Sequence, residues 1–296
     1  MKRIEQNLNI FKKHFVRAMS VLFSILSGIL LLVSKEEIGV NSICRAILTF
    51  IIIIGLALIW ATYRVCFYTK NEIFDTGKGK LVLEYGDLWK KSFQKRSILR
   101  KKSKKIVVLS VNTTFDTIVD EDLSKVKKPL VSINTMHGRW LKEMESRKID
   151  KDKLDEAIQS SLEQQGIKPL KKLERSQKER GNLDCFEKGT IAVYEYNNTC
   201  FYLIALSEFD ENNIARNTKD ELIKVIETLI EYYNNYGQGY DLYIPLLGTG
   251  RSRTDISPQE ALQIMVSYFR IYKERIYGNV NIVIYKKQRN IVSLDV

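Results

Sequence analysis

Apolar residues fall into two regimes along the chain. FVRAMSVLFSILSGILLLV, from Phe15 to Val33, carries one charge, Arg17, near its start, and AILTFIIIIGLALIWATY, from Ala46 to Tyr63, carries none. Each has about the 20 residues a helix needs to cross a hydrocarbon core. Beyond Phe67 apolar positions come in short clusters between charged residues, the pattern of a water-soluble domain. The chain is read as an N-terminal segment, 1–70, with two transmembrane helices at about 15–33 and 46–66, a linker at 71–80 and an α/β domain over 81–296.

Within that domain, KLVLEYGDLW alternates apolar and polar residues and ends in Gly-Asp, a strand entering a turn. KKIVVLSVN is apolar from Ile106 to Leu109 and at Val111, a buried strand that breaks at Asn112. Leu154, Ala157, Ile158 and Leu162 have helical spacing, with Gly166 as a stop. TIAVYEYNNTCFYLIALSEF reads as two strands about an Asn-Asn turn, and NTKDELIKVIETLIEYYNNYG as an amphipathic helix capped by Asn217 or Thr218. YDLYIPLLGTG is a further buried strand, SPQEALQIMVSYFRIYKER a helix with Ser257 as cap and Pro258 at its first position, and NVNIVIYKK a final strand. The polar stretch KPLKKLERSQKERGN, around 168–182, reads as a mobile insertion. Strands alternating with helices predict a layered α/β fold.

Charge adds an orientation. Lys2, Arg3, Lys12, Lys13 and Arg17 precede or open the first apolar run, and Arg64 and Lys70 follow the second, while Lys35 alone lies between them before Arg45. Lys and Arg excess marks cytoplasmic flanks, so both termini are placed in the cytoplasm of a two-pass inner-membrane protein. The net charge of +12 is concentrated in Lys90–Lys105, with nine Lys or Arg and no acid. Such a run suits a solvated face, anionic lipid or nucleic acid, and its place near a membrane segment favours lipid over nucleic acid. A two-helix hairpin without mid-span charge has no interior for a pore, so any role beyond anchoring requires homo-oligomers.

Other chemistry is excluded by count and spacing. The four cysteines show no CxxC spacing, which argues against a disulfide framework or a zinc site. With only His14 and His137, a histidine metal cluster is ruled out, and no metal is expected. Neither the G-x-S-x-G elbow nor the Walker pattern is present.

IPLLGTGRSR, Ile244 to Arg253, is the most informative segment. A buried strand ending in Gly-Thr-Gly can present backbone N–H groups to a diphosphate, with Arg251 and Arg253 adding charge, although a bare turn of this kind also suits a tight strand-to-helix connection. Taken in order, LEYGDL, IVVLSVNTTFDT and IPLLGTG resemble the macro domain, a fold that binds ADP-ribose and its derivatives. VNTTFDTIVDEDL, MHGRW and LIALSEFDENNIA resemble, more closely, the divergent macro domains fused to membrane helices in Thoeris-type bacterial anti-phage defence.

That resemblance implies a macro-like three-layer α/β/α domain preceded by a two-helix transmembrane hairpin. It implies an ADP-ribose-derived ligand, an amino-acid conjugate included, made by a TIR-domain protein. By position, Asp87, followed by Leu88, would meet the adenine amino group and Asn112 the distal ribose. Thr113, Thr114 and Phe115 continue the ribose loop, and Leu247, Gly248, Thr249, Gly250 and Arg251 would hold the diphosphate. Hydrolytic members show a second Asn and a triple-Gly loop, where this chain has VNTTFD and only His137-Gly138. The departure favours binding without turnover: no catalytic residue, no cofactor and no enzyme. Asp116 and His137 are read as holding the loop rather than touching the ligand. The expected function is a defence effector that senses the signal nucleotide and assembles to disrupt the inner membrane, causing abortive infection. The alternatives are a membrane-tethered ADP-ribosyl hydrolase and a non-catalytic membrane scaffold.

Overall fold

The computed structural model describes residues 4–5, 7–32, 42–93, 104–122, 129–209, 215–216, 218–249 and 256–296. Most of the basic run, the loop between the two N-terminal helices, the last part of LIALSEFDENNIA, and Gly250, Arg251 and Arg253 lie outside these residues. The chain divides into two compact units, Met1–Asn71 with Ser293–Asp295, and Glu72–Val292 with Val296.

The first unit is a pair of helices, α1 (Leu8–Leu32) and α2 (Ser42–Phe67). Ile53, Ala57, Ala61 and Val65 of α2 are buried and recur every four residues. They form one seam, with two small residues at its centre where helix backbones can approach closely. The rest of α2 is apolar and open: Ile51, Leu56, Ile59 and Trp60 are all exposed. Among the described residues one helix, Ile47–Phe67, is long and apolar enough to cross a membrane. Lys12, Lys13, His14, Arg17 and the hydroxyls of Ser20 and Ser24 dilute α1, and the expected two-pass topology is therefore not supported. The chain's end returns to this unit, with Ser293 Oγ donating to Asn7 Oδ1 at 2.8 Å and Asn71 Nδ2 to the Leu294 carbonyl at 2.7 Å.

The second unit is built on a sheet of eight described strands. In chain order the elements are β1 (Lys70–Asp75), β2 (Gly79–Gly86), α3 (Leu88–Phe93), β3 (Lys105–Asn112), β4 (Val119–Asp120), β5 (Val131–Ser132), α4 (Met136–Ser146), α5 (Lys151–Gln164), β6 (Lys171–Lys172), β7 (Asp184–Cys185), β8 (Ile191–Tyr196), β9 (Thr199–Phe209), β10 (Ala215–Arg216), α6 (Lys219–Tyr236), β11 (Asp241–Pro245), α7 (Pro258–Ile271) and β12 (Gly278–Tyr285). The sheet order is β1-β2-β12-β11-β3-β9-β10, with β8 also paired to β9. Residues 71–80, expected as a linker, instead form β1 and its turn into β2: Gly77 takes φ 77°, and its N–H donates to Asp75 Oδ1 at 2.8 Å. Charged residues along a short edge strand hide its period from the sequence.

Side chains of β3 and β9 alternate between two faces. Val107, Leu109, Val111, Phe201, Leu203 and Ala205 join Trp140, Met144 and Ile158 of α4 and α5 in one core. The intervening Tyr202 meets Tyr232 of α6, with ring centroids 5.1 Å apart. Helices therefore cover both faces, which explains why these strands read as continuous apolar runs.

Local signals match the elements. Tyr196 pairs with Thr199 across the Asn-Asn turn, where Asn197 takes φ 53°. Ser257 caps α7, with Pro258 in its first turn. Thr218 is the cap of α6, in a reciprocal capping box with Glu221. Thr218→Ala should lower stability by about 1 kcal/mol, and Tm by roughly 2–4 °C in a domain of this size, while Thr218→Ser stays near wild type. Thermal unfolding of the full chain in detergent measures this, and an unchanged Tm for Thr218→Ala would contradict the cap's role.

Candidate ligand-binding site

Parallel pairing decides where a site can form. β2, β12, β11, β3 and β9 run parallel to one another, so their carboxyl ends share one edge of the sheet. From β11 the chain proceeds to its neighbour β12, and from β3 it proceeds to β9 on the other side. Adjacent strands whose connections diverge open a crevice between them, and open α/β sheets take ligands there. The loops after Asn112 and after Pro245 flank that crevice, and the Asp87 turn lies at the same edge after β2.

The Asn112 loop is held by one buried carboxylate. The pairing of β3 with β9 shifts register between Val111 and Asn112, and such a bulge re-aims the side chain at a strand's end. Asn112 Nδ2 donates to Asp116 Oδ2 at 2.6 Å, and Asn112 Oδ1 accepts from the Asp116 N–H at 3.0 Å. Thr114 Oγ1 also donates to Asp116 Oδ2, at 2.8 Å. Asp116 is 0% exposed, and a carboxylate removed from water needs such donors in its place. Between them Phe115 takes φ 49°, an unusual value for a bulky side chain. Its ring lies in the core, edge-on to Phe186 with centroids 5.6 Å apart.

Of the remaining expected site residues, Gly250 and Arg251 lie outside the described residues and the others have defined places. Asp87 Oδ1 accepts from the Trp89 N–H at 3.0 Å and caps the turn into α3, while Leu88 is buried. The Thr113 backbone extends the sheet, donating to the Ser207 carbonyl and accepting from the Phe186 N–H. Gly248 takes φ 75°, Thr249 Oγ1 donates to the Leu246 carbonyl at 3.0 Å, and Leu247 is buried. Asn112, Thr114, Phe115 and Asp116 are thus gathered in one loop, and Gly248 and Thr249 form the turn across the crevice. Next to Asp116, the buried Thr117 Oγ1 has no hydrogen-bond partner among the described residues.

The sequence did not single out the arm that closes on this loop. Residues 168–182, expected to be a mobile insertion, begin a two-stranded hairpin in which Lys171 pairs with Cys185 and Lys172 with Asp184. From its tip Lys178 Nζ reaches Asp116 at 2.7 and 2.9 Å, Thr114 Oγ1 at 2.7 Å and the Asn182 carbonyl at 2.7 Å. Burial lowers the Lys178 pKa, an effect that the Asp116 charge opposes. The Asn182 N–H donates to Asp116 Oδ1 at 2.8 Å, and its Nδ2 to the Phe115 carbonyl at 3.0 Å. Arg180 makes a two-pronged pair with Asp120, at 2.9 and 3.0 Å. Burial raises the Asp120 pKa, but Arg180 and the Leu130 N–H more than offset it, so the net shift is downward. Two acids four residues apart, Asp116 and Asp120, were the available signal, since buried carboxylates require donors from elsewhere.

His137 lies in the first turn of α4, stacked on Trp140 with centroids 6.4 Å apart. Burial pushes its pKa down to about 3.

Residues 81–285 match the family described as Thoeris protein ThsA, Macro domain. The sheet with its loop-lined edge is that of a macro domain, and the chain belongs to this family. A Thoeris protein ThsA from Bacillus amyloliquefaciens (strain Y2) is 23% identical over 278 residues, 91% of this chain and 83% of the relative. Among solved structures, an Oceanobacillus iheyensis macrodomain with ADP is 10% identical, with a TM-score of 0.38 over 75% of this chain and 90% of that one. A Trypanosoma brucei macrodomain in complex with ADP-ribose is 8% identical, with a TM-score of 0.35 over 71% and 65%. The fold assignment rests on the family match.

Burial of His137 makes stability depend on pH. Unfolded, it titrates near 6.5; folded, near 3. Between these values the unfolded chain binds a proton at His137 that the folded chain does not, so the contribution of this residue to stability falls as pH drops below about 6.5 and is level above it. His137→Leu should flatten that part of the profile. Tm values at pH 7.5 and pH 5 (roughly either side of the unfolded pKa) measure it, and equal losses in wild type and variant would contradict the assignment.

Proposed function

We propose that this chain is a Thoeris-type defence effector that senses an ADP-ribose-derived nucleotide, an amino-acid conjugate included, made by a TIR-domain partner. The observation that carries the reading is the family match over 81–285 together with the crevice between β3 and β11, flanked by the Asn112 loop and the Gly248 turn. A ribose would lie against the first and a diphosphate against the second, with Asp87 near the adenine.

Binding without turnover is part of the proposal. The Phe115 ring is in the core, and the Asp116 carboxylate is engaged by Asn112, Thr114, Lys178 and Asn182. Neither is disposed to activate water at the ribose.

Attachment to the inner membrane through Ile47–Phe67 completes the reading, with the macro domain on the cytoplasmic side and ligand favouring an assembled, membrane-disturbing state. The exposed apolar surface of α2 supports attachment. Assembly requires the ligand to bind the assembled state better than the dispersed one; about 5.5 kcal/mol of difference turns a 1:99 population into 99:1.

Proteoliposomes holding the full chain test the proposal. ADP-ribose or its amino-acid conjugate should enlarge the protein particle and release trapped dye, and Gly248→Glu, which puts a β-carbon at positive φ and an acid beside the diphosphate, should abolish both. A wild-type chain that binds nucleotide with no change in size or leakage would remove the assembly step. For topology, tags at both ends of the chain should be protected from protease in intact spheroplasts if α1 crosses with α2. Digestion of the N-terminal tag alone would leave a single crossing.

A further inference from the structure

The arm from Lys171 to Asp184 sends two residues, Lys178 and Asn182, to the Asn112–Asp116 loop, while Arg180 pairs with Asp120. Lys178 and the Asn182 N–H bind the Asp116 carboxylate, and Asn182 Nδ2 binds the carbonyl of Phe115, the residue at positive φ. Gly181, at φ 80°, lets the arm come this close, since a β-carbon there would collide with Asp116 Oδ1. A bulky residue in the left-handed region persists only where its surroundings over-determine it. Within the loop, the Phe115 N–H bond to the Asn112 carbonyl and the Asn112–Asp116 bonds provide part of that constraint. The arm provides the rest, together with the Lys178 cation that pairs with Asp116 where it is 0% exposed.

We infer that Lys178 and Asn182 are positioning residues of the nucleotide site: they lock the Asn112–Asp116 loop in its left-handed turn and so fix where Asn112 faces the ligand's ribose. This rests on the nucleotide-sensor reading of the same edge. Lys178 acts through Asp116 rather than on the ligand. With Lys178 removed, Asp116 is a buried carboxylate without a cation and must open the loop to reach water. With Asp116 neutral as well, that demand disappears and the loop can close again on its remaining hydrogen bonds.

The test uses the full chain in detergent, with two readouts on wild type, Lys178→Met and the double variant Lys178→Met/Asp116→Asn. Amide hydrogen exchange of residues 112–117 without ligand reads loop order, and calorimetry with ADP-ribose and its amino-acid conjugate reads affinity. Lys178→Met should speed exchange in the loop and weaken binding by about tenfold or more, and the double variant should recover most of both. Asn182→Ala, which keeps the backbone bond to Asp116 and removes the side-chain bonds to the Phe115 carbonyl and to Asp155, should move both readouts in the same direction by less and serves if Lys178→Met does not fold. Unchanged loop exchange and affinity in Lys178→Met and Asn182→Ala, even with a lower Tm, would overturn the inference. A double variant no better than Lys178→Met would overturn the carboxylate mechanism. If wild type binds neither nucleotide while exchange responds as expected, the sensor reading fails and the arm's hold on the loop stands.

Discussion

Everything at the candidate site depends on the parallel pairing of β2, β12, β11, β3 and β9. Parallel strands need crossovers, and crossovers bring helices to the faces, so the strands are buried on both sides and their carboxyl ends come together at one edge. Because the connections from β3 and β11 leave in opposite directions, two loops distant in sequence become neighbours across a crevice. The site is a consequence of topology before it is a matter of particular side chains.

What the side chains add is order. A carboxylate buried beneath the Asn112 loop is unfavourable unless several donors meet it, and the donors come from three places: Asn112, Thr114, and the arm that ends in Lys178 and Asn182. This cluster ties an insertion with little apolar anchoring to the sheet edge. It also holds Phe115 at a dihedral it would otherwise avoid. A similar logic of satisfied polar groups runs through the helix starts, where Thr135, Asp150, Thr218 and Ser257 each accept a backbone N–H.

Much of this was legible in the chain. The apolar runs of β3 and β9, the Asn-Asn turn and the caps at Thr218 and Ser257 are local signals, and local physics determines them. The order LEYGDL, IVVLSVNTTFDT, IPLLGTG identified the macro domain without any view of the sheet. Other features were not legible, for identifiable reasons. β1 is a short charged edge strand whose alternation is obscured, so it resembled a linker. The arm is mostly polar, with only Leu173 and Leu183 apolar, and nothing local distinguishes a lysine bound for Asp116 from one bound for water. The bonds of Asn112 to Asp116 depend on a bulge and a turn that only the folded backbone reveals. The first apolar run had the length of a span, but α1 as a whole is longer and carries charge along its first half.

The central claim is that the edge between β3 and β11 holds an ADP-ribose-type nucleotide and returns it unchanged. Calorimetric titration of the full chain in detergent with ADP-ribose and its amino-acid conjugate, followed by chromatographic recovery of the ligand, tests it most directly. The account predicts saturable binding and intact nucleotide. Absence of binding to either, or recovery of hydrolysed product, would contradict it.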